Sequence, residues 1–287
     1  MSRTFDVLGK MVANEIDATE KAIAKNMERI STGNRINSAA DDPAGLGISE
    51  RMESQIKATD VAKKNAQDGI SLVQTAEGAL SGIGNVLHRL NEIVVQASNG
   101  VLDDSSRGAL KEEFNQLLDH IDKVCQNTQY NTLSLFSNGN GDSKNIFNLQ
   151  VGPNVGDSLT INIETLSSHL LGLRNIDLNS TEGATKGIDI VGKAIKNIAS
   201  RRGYLGATQN RLEYCIDLAD NYSKNMNDAH SRIKDVDIAA EVMDLAKNNV
   251  RREANMSLLV QIKKMGDKEV HFIRDMLRVP ERRPFRR

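Results

Sequence analysis

Between Asp41 and Ala97 the small and apolar residues Ile48, Met52, Ile56, Thr59, Ala62, Ala66, Ile70, Val73, Ala76, Leu80, Ile83, Leu87, Leu90, Val94 and Ala97 follow one another in 14 steps over 49 residues, or 3.5 residues per step. A period of 3.5 held that long excludes a strand and exceeds what a compact globular helix needs. It specifies a helix that lays one stripe against partner helices. At 1.5 Å per residue such a helix extends roughly 75 Å, so its partner must be equally long. Many stripe positions hold Ala or Thr, which lets partners approach closely while each layer buries little area; stability then accumulates over many weak layers. The stretch is expected to be a strut in a helical bundle and a candidate assembly element.

Composition agrees with a bundle. Tyr 4, Phe 6 and Trp 0 leave few of the rings that usually fill globular cores and ligand pockets. Lys+Arg 37 against Asp+Glu 38 makes the chain nearly neutral, which gives no reason to expect nucleic acid as a partner and leaves self-association little opposed. The two cysteines, Cys125 and Cys215, lack a CxxC spacing, so neither a disulfide framework nor a zinc site is expected; both read as small seam residues with free thiols. No apolar run of 18 residues and no signal peptide is present, so membrane insertion is not expected, and a route out of the cell would have to be a different one.

Around the strut the chain alternates between helical and irregular stretches. Phe5, Leu8, Met11, Val12, Ile16, Ile23, Met27 and Ile30 predict a first helix that ends at Ser31-Thr32-Gly33-Asn34, with Gly33 as its left-handed terminator. Asp42-Pro43 is an N-cap followed by a helix-compatible proline, which accounts for the acidic pair without a metal or an acid–base role. Gly45-Leu46-Gly47 lacks a third glycine and a preceding strand, so no cofactor is expected. Asp103 to Ser106 cap a second helix with a stripe of Leu110, Phe114, Leu117, Ile121, Val124 and Thr128, antiparallel to the strut. Then the period drops to two. Phe147, Leu149 and Val151, then Leu159, Ile161 and Ile163, flank Gly152 to Asp157 and predict a β-hairpin in a surface region running from Asn138 to Lys186 and carried at the far tip of the helical arms. The helical stripe resumes at Ile188, Val191, Ile195, Ile198, Leu205, Leu212, Leu218, Tyr222, Met226, Ala229, Ile233, Val236, Ala240 and Met243. The fold expected is mainly α, a long antiparallel coiled-coil-like helical bundle with a small central β-hairpin region. Its organisation is expected to be terminal helical segments at 1–40 and 246–287, a helical rod at 41–137 and 185–245, and the hairpin and loop region at 138–184. Arg278 to Arg287 hold five arginines and two prolines and read as a disordered basic tail.

Asn26 to Leu46, Gln67 to Ala79, Arg201 to Glu213 and Ser231 to Asp237 resemble, in this order, the amino- and carboxy-terminal signatures of bacterial flagellin, in its short form without large outer domains. Met1 to Asp17 and Lys263 to Arg287 depart from the family's usual ends. The resemblance implies a filament subunit exported unfolded by the flagellar type III apparatus, with an export chaperone, and found outside the cell in the bacterial flagellum. It implies self-assembly into a helical homopolymer beneath a cap, with hook-associated and cap proteins as further partners. It also implies a face for a toll-like innate receptor of a host, at the positions Arg89, Ile93 and Glu113, where Arg89 and Ile93 lie one helical turn apart. A hook-filament junction protein and a soluble coiled-coil adaptor are the alternatives. His88, His120, His169, His230 and His271 show no HExxH spacing and no nucleophile motif is present, so no enzyme is expected.

Overall fold

The computed structural model describes residues 2–137 and 144–276. Its elements run α1 (Ser2–Thr32), α2 (Pro43–Ala97), α3 (Asp104–Asn127), β1 (Gln129–Tyr130), β2 (Leu133–Ser134), β3 (Lys144–Gln150), β4 (Ser158–Glu164), a single 3-10 turn (Leu173–Asn175), α4 (Thr181–Lys234) and α5 (Ile238–Met276). They group into two compact units: residues up to Glu53 with those from Asp228 onward, and Ser54–Asn227.

In the first unit α1 and α5 run antiparallel. Gly33 ends α1 at φ +70, where a side chain would be strained, and its N–H donates to the Arg29 carbonyl at 2.9 Å. The chain then pairs briefly with the opposite strand of backbone: Arg35 N–H donates to the Lys234 carbonyl and Val236 N–H to that of Gly33. Asp41 organises the turn that follows. Its carboxylate accepts from the Asn37 and Ser38 amides at 3.2 Å and lies 2.6 Å from the Lys25 ammonium, and the Lys25 contact, with those amides, holds its carboxyl well below the usual carboxylate range. Asp42 caps α2 as expected, accepting from Gly45 N–H at 2.9 Å with Pro43 as the first helical residue.

The second unit carries the apolar core. α2 is antiparallel to α4, as the pairs Lys63–Asp220 and Glu77–Arg202 require, and antiparallel to α3, as Arg89–Glu113 requires. Asp103 caps α3, accepting from Ser106 N–H at 3.2 Å. The α2 stripe from Ala62 to Ala97 is buried as predicted except at Ile70, which is partly buried, and it is widened by Leu72 and Ile93. On α3 the buried face is Arg107, Phe114, Leu118, Ile121 and Cys125. It is rotated from the predicted seam, so that Leu117 and Val124 pack at the rim. The seven-residue spacing is kept, and the face turns because α3 packs on α2 and on the segment after the hairpin at once.

The β3–β4 hairpin forms from the two predicted runs, with Phe147 opposite Ile161 and Leu149 opposite Leu159. It is not carried at a far tip, nor is the region mere surface. Leu159, Ile161, Ile163, Leu166, Leu173 and Leu178 are buried, together with Leu135 and Phe136 ahead of the hairpin. The hairpin lies back along the helices: Asn65 donates to the Gln150 carbonyl at 3.1 Å, and a side chain at Gly69 would collide with Leu149. The alternation of Leu159, Ile161 and Ile163 needed a face to bury, and α2 with α4 supplies it.

Two further expectations change. The returning stripe is not one helix: it breaks at Asp235–Asp237, where Asp237 caps α5 by accepting from Ala239 and Ala240 N–H at 3.0 and 3.1 Å. Ile48, Leu218, Tyr222 and Met243, predicted as seam positions, are exposed. Residues 278–287, read as a basic tail, lie outside the described residues.

Candidate functional site

Two surfaces stand out. The first joins α2 and α3. Arg89 Nε donates to Glu113 Oε1 at 2.8 Å across the two helices, and a terminal nitrogen donates to Glu92 Oε2 at 2.8 Å along α2. Both bonds, that to Glu92 first, raise the arginine further above its ordinary value, so the guanidinium stays charged at any physiological pH. All three side chains remain substantially exposed, and exposed pairs of this kind contribute little to stability. The patch thus presents charge without being needed for the fold. Of the three positions implied by the resemblance, Arg89 and Glu113 are brought together at the surface. Ile93 is 0% exposed and belongs to the core beneath them. The one-turn spacing that links Arg89 to Ile93 also points Ile93 toward α3, and burial wins.

Just beyond this patch Arg107, only 8% exposed, holds the α2–α3 turn by donating to the carbonyls of Ala97 and Asn99 at 2.5 and 3.1 Å. A second, half-buried device fixes the segment after the hairpin. Ser168 donates from its backbone N–H and its hydroxyl to the two Asp122 oxygens at 2.7 Å, and Arg174 donates to the same carboxylate at 2.7 Å. Burial pushes the Asp122 carboxyl up, but the bonds from Arg174 and Ser168 outweigh it and leave it below its ordinary value. Neither arginine stood out in the sequence. Arg107 occupies a place where a regular stripe would put an apolar residue, and that interruption was the available signal.

The second surface is the first unit itself. Its buried apolar residues are few: Ile16, Ile23, Ile36 and Ile262. A polar layer sits among them, in which Asn26 donates to Glu241 Oε1 at 2.8 Å and accepts from Asn248 at 3.1 Å, with Arg29 at 3.6 Å from Glu241. Against this, Val7, Leu8, Met11 and Met27 on α1, and Ile238, Val242, Met243, Val250, Met256, Leu258, Val260, Met265 and Phe272 on α5, are exposed. Apolar surface of that extent along two long helices marks a face made to be covered. Among the described residues no group of three or more His, Cys, Asp or Glu is placed to hold a metal ion, and no helix is long and apolar enough to cross a membrane.

Comparison with known proteins gives these surfaces a context. Residues 9–141 match the bacterial flagellin N-terminal helical region, and residues 188–272 the bacterial flagellin C-terminal helical region. The chain is 41% identical over 239 residues to a flagellin of Halalkalibacterium halodurans, covering 83% of this chain and 86% of that protein. It is 35% identical over 292 residues to the flagellin of Bacillus subtilis, covering 91% and 96%. A solved structure of a putative flagellar hook-associated protein from Vibrio parahaemolyticus is similar with a TM-score of 0.57 over 68% of this chain and 100% of that one; at 14% identity the likeness concerns the fold alone. With both terminal helical regions matched in order and flagellins similar over most of its length, the chain belongs to the bacterial flagellin family, in its short form.

Proposed function

We propose that this chain is a structural subunit of the flagellar filament, without enzymatic activity, that self-assembles by burying the exposed apolar faces of α1 and α5 against other copies. The observation that carries this reading is the contrast inside the first unit between few buried apolar residues and many exposed ones. A repeated contact between different patches of identical chains that does not close on itself generates a filament. In this reading residues 1–40 and 246–287 are the assembly segments, 41–137 and 185–245 the rod, and 138–184 its hairpin region. Weakly packed helical ends are also suited to passage through a narrow export apparatus as unfolded chain, and to capture beforehand by an export chaperone, because little folding free energy opposes either. Cap and hook-associated proteins at the ends of the polymer follow from the same reading, as does a place outside the cell. Electron microscopy of the purified protein at high salt tests it. Long filaments are expected; a finite oligomer or monomer at every salt and protein concentration would favour the adaptor alternative instead.

A second activity is supported by one feature, the exposed Arg89–Glu113 pair on a rigid helical platform. In this reading the pair faces a toll-like innate receptor, with Ile93 holding the platform from beneath. Arg89→Ala should lower receptor signalling at least tenfold while leaving the melting temperature unchanged. Unchanged signalling would remove the receptor role from this patch.

A further inference from the structure

The turn between α2 and α3 holds a buried cation that has no anion. Arg107 donates to neutral oxygens, the backbone carbonyls of Ala97 and Asn99 and the Thr181 hydroxyl. Among the described residues no carboxylate lies within ion-pair distance of it, although it is 8% exposed, and arginines are almost never buried so far without a partner. The carbonyl end of α2 supplies about half an elementary charge, which offsets the guanidinium without balancing it. The oxygen that Arg107 holds at 3.1 Å belongs to Asn99, and the residue that follows is Gly100.

We propose that Asn99-Gly100 is a self-modifying site: it loses ammonia through a succinimide and opens to an isoaspartyl linkage whose carboxylate becomes the counter-ion of Arg107. The Asn99 side-chain oxygen accepts from the Val101 N–H at 3.2 Å, an Asx turn that folds the carboxamide back over the following peptide. The Gly100 N–H has no acceptor among the described residues, so its nitrogen is free to react. Apart from its chain neighbours, no heavy atom lies within 4 Å of where a Gly100 side chain would begin, so the turn is open to water. Arg107 adds a cation on the Asn99 carbonyl, which stabilises the negative charge that this peptide carries once the Gly100 nitrogen gives up its proton. That nitrogen bonds to the side-chain carbonyl carbon of Asn99, the bond from this carbon to the amide nitrogen breaks, and the amide leaves with the proton as ammonia. Water then adds to the ring carbonyl that was the Asn99 backbone carbonyl. Its bond to the Gly100 nitrogen breaks, the nitrogen takes a proton from the water, and the chain runs on through the former side-chain carbonyl. Nothing is oxidised or reduced. The carboxylate released keeps the oxygen already bonded to Arg107, so a neutral contact becomes a charge-assisted pair at a buried cation. Opening at the other ring carbonyl would give an ordinary aspartate and leave Arg107 with a peptide carbonyl, so the isoaspartyl product is favoured. The reaction belongs to the single chain and is independent of the filament reading.

The test is incubation of the full chain in mildly alkaline buffer, folded and in urea, followed by peptide mapping in the mass spectrometer and labelling with an isoaspartyl methyltransferase. Asn99 should convert in the folded chain at least as fast as in urea, with a larger share of isoaspartate over aspartate. Gly100→Ala meets no neighbour, so it should keep wild-type circular dichroism and slow conversion at least tenfold. Arg107→Gln keeps a donor and removes the charge; it should slow conversion at least threefold and return the product ratio to that found in urea. Should that variant fail to fold, the comparison of the wild-type ratio in buffer and in urea carries the same test. An Asn99 that stays intact in the folded chain while it converts in urea overturns the proposal, as does an equal share of isoaspartate in the two states.

Discussion

The two units use the same helical geometry and reach opposite outcomes. In the second unit every position of the hydrophobic cluster, from Ala66 to Leu212, finds a cover, because three helices and a hairpin share one core. In the first, α1 and α5 are long helices of 31 and 39 residues, but only two helices face each other, and a two-helix pair can bury one stripe on each. What remains is apolar on the outside and polar at the seam, with Asn26 and Glu241 buried where leucines would stabilise more. A helix pair of this kind has register but little depth. The lesson is that a regular stripe fixes that a helix will pack, whereas the number of layers available decides whether packing within the subunit is enough.

Substitutions can break this contrast, and they rank by how deep they cut. Leu80→Asp places an unpaired carboxylate at a 1% exposed position and should cost several kcal/mol, on the order of the stability of a small domain; helicity of the second unit should collapse in circular dichroism. An unchanged melting curve would mean that the α2 stripe is not its core. Phe136→Ala should cost about 3–5 kcal/mol, because the ring is 1% exposed in that same core. A loss below 1 kcal/mol in denaturant titration would return the central region to the surface. Asn26→Ala strands Glu241 and Asn248 and should destabilise the first unit by about 1–3 kcal/mol, with no change in the main melting transition of the second. Coupled loss of both transitions would deny the units their independence.

The smallest effect is electrostatic. Since the Asp122 carboxyl is held below its ordinary value of about 3.9, its contribution is fully present above that value and is lost as pH falls through the lower folded-state value. Acid titration of Asp122→Asn should therefore lack a component of the wild-type stability loss that appears only below about pH 4. Identical acid unfolding profiles would show that the Ser168–Arg174 clamp does not couple to folding.

Much of this was legible in the residues. Most of the α2 stripe, the Gly33 terminator, the Asp42-Pro43 and Asp103 caps and the hairpin itself follow from local chemistry and stand in the structure. The sequence misled where a tertiary neighbour decides. Leu118 and Cys125 displaced Leu117 and Val124 because α3 meets two surfaces at once, and burial pushes the Cys125 thiol up to about 12, as expected of a core residue. The hairpin region looked peripheral because Gly, Asn and Ser dominate it, yet a few leucines and Phe136 suffice to seat it. The break before α5 was written in Asp237, whose capping role was masked by the continuing apolar period. Of the positions the resemblance implies, Arg89 and Glu113 pair at the surface, while Ile93 carried the same one-turn spacing into the core. Leu218, Tyr222 and Met243 keep that period as well, yet they stay 50%, 38% and 67% exposed.

Hydrogen exchange measured on the monomer and on the polymer tests most directly the claim that the first unit depends on other copies for its cover. In the monomer, amides of α1 and α5 should exchange orders of magnitude faster than those of α2 between Leu72 and Ala97, because thinly packed helices open at low free energy. In the polymer the same amides should slow to rates comparable with the second unit. Equal protection of α1, α5 and the α2 core in the monomer would contradict the account, as would a polymer in which α1 and α5 still exchange fast.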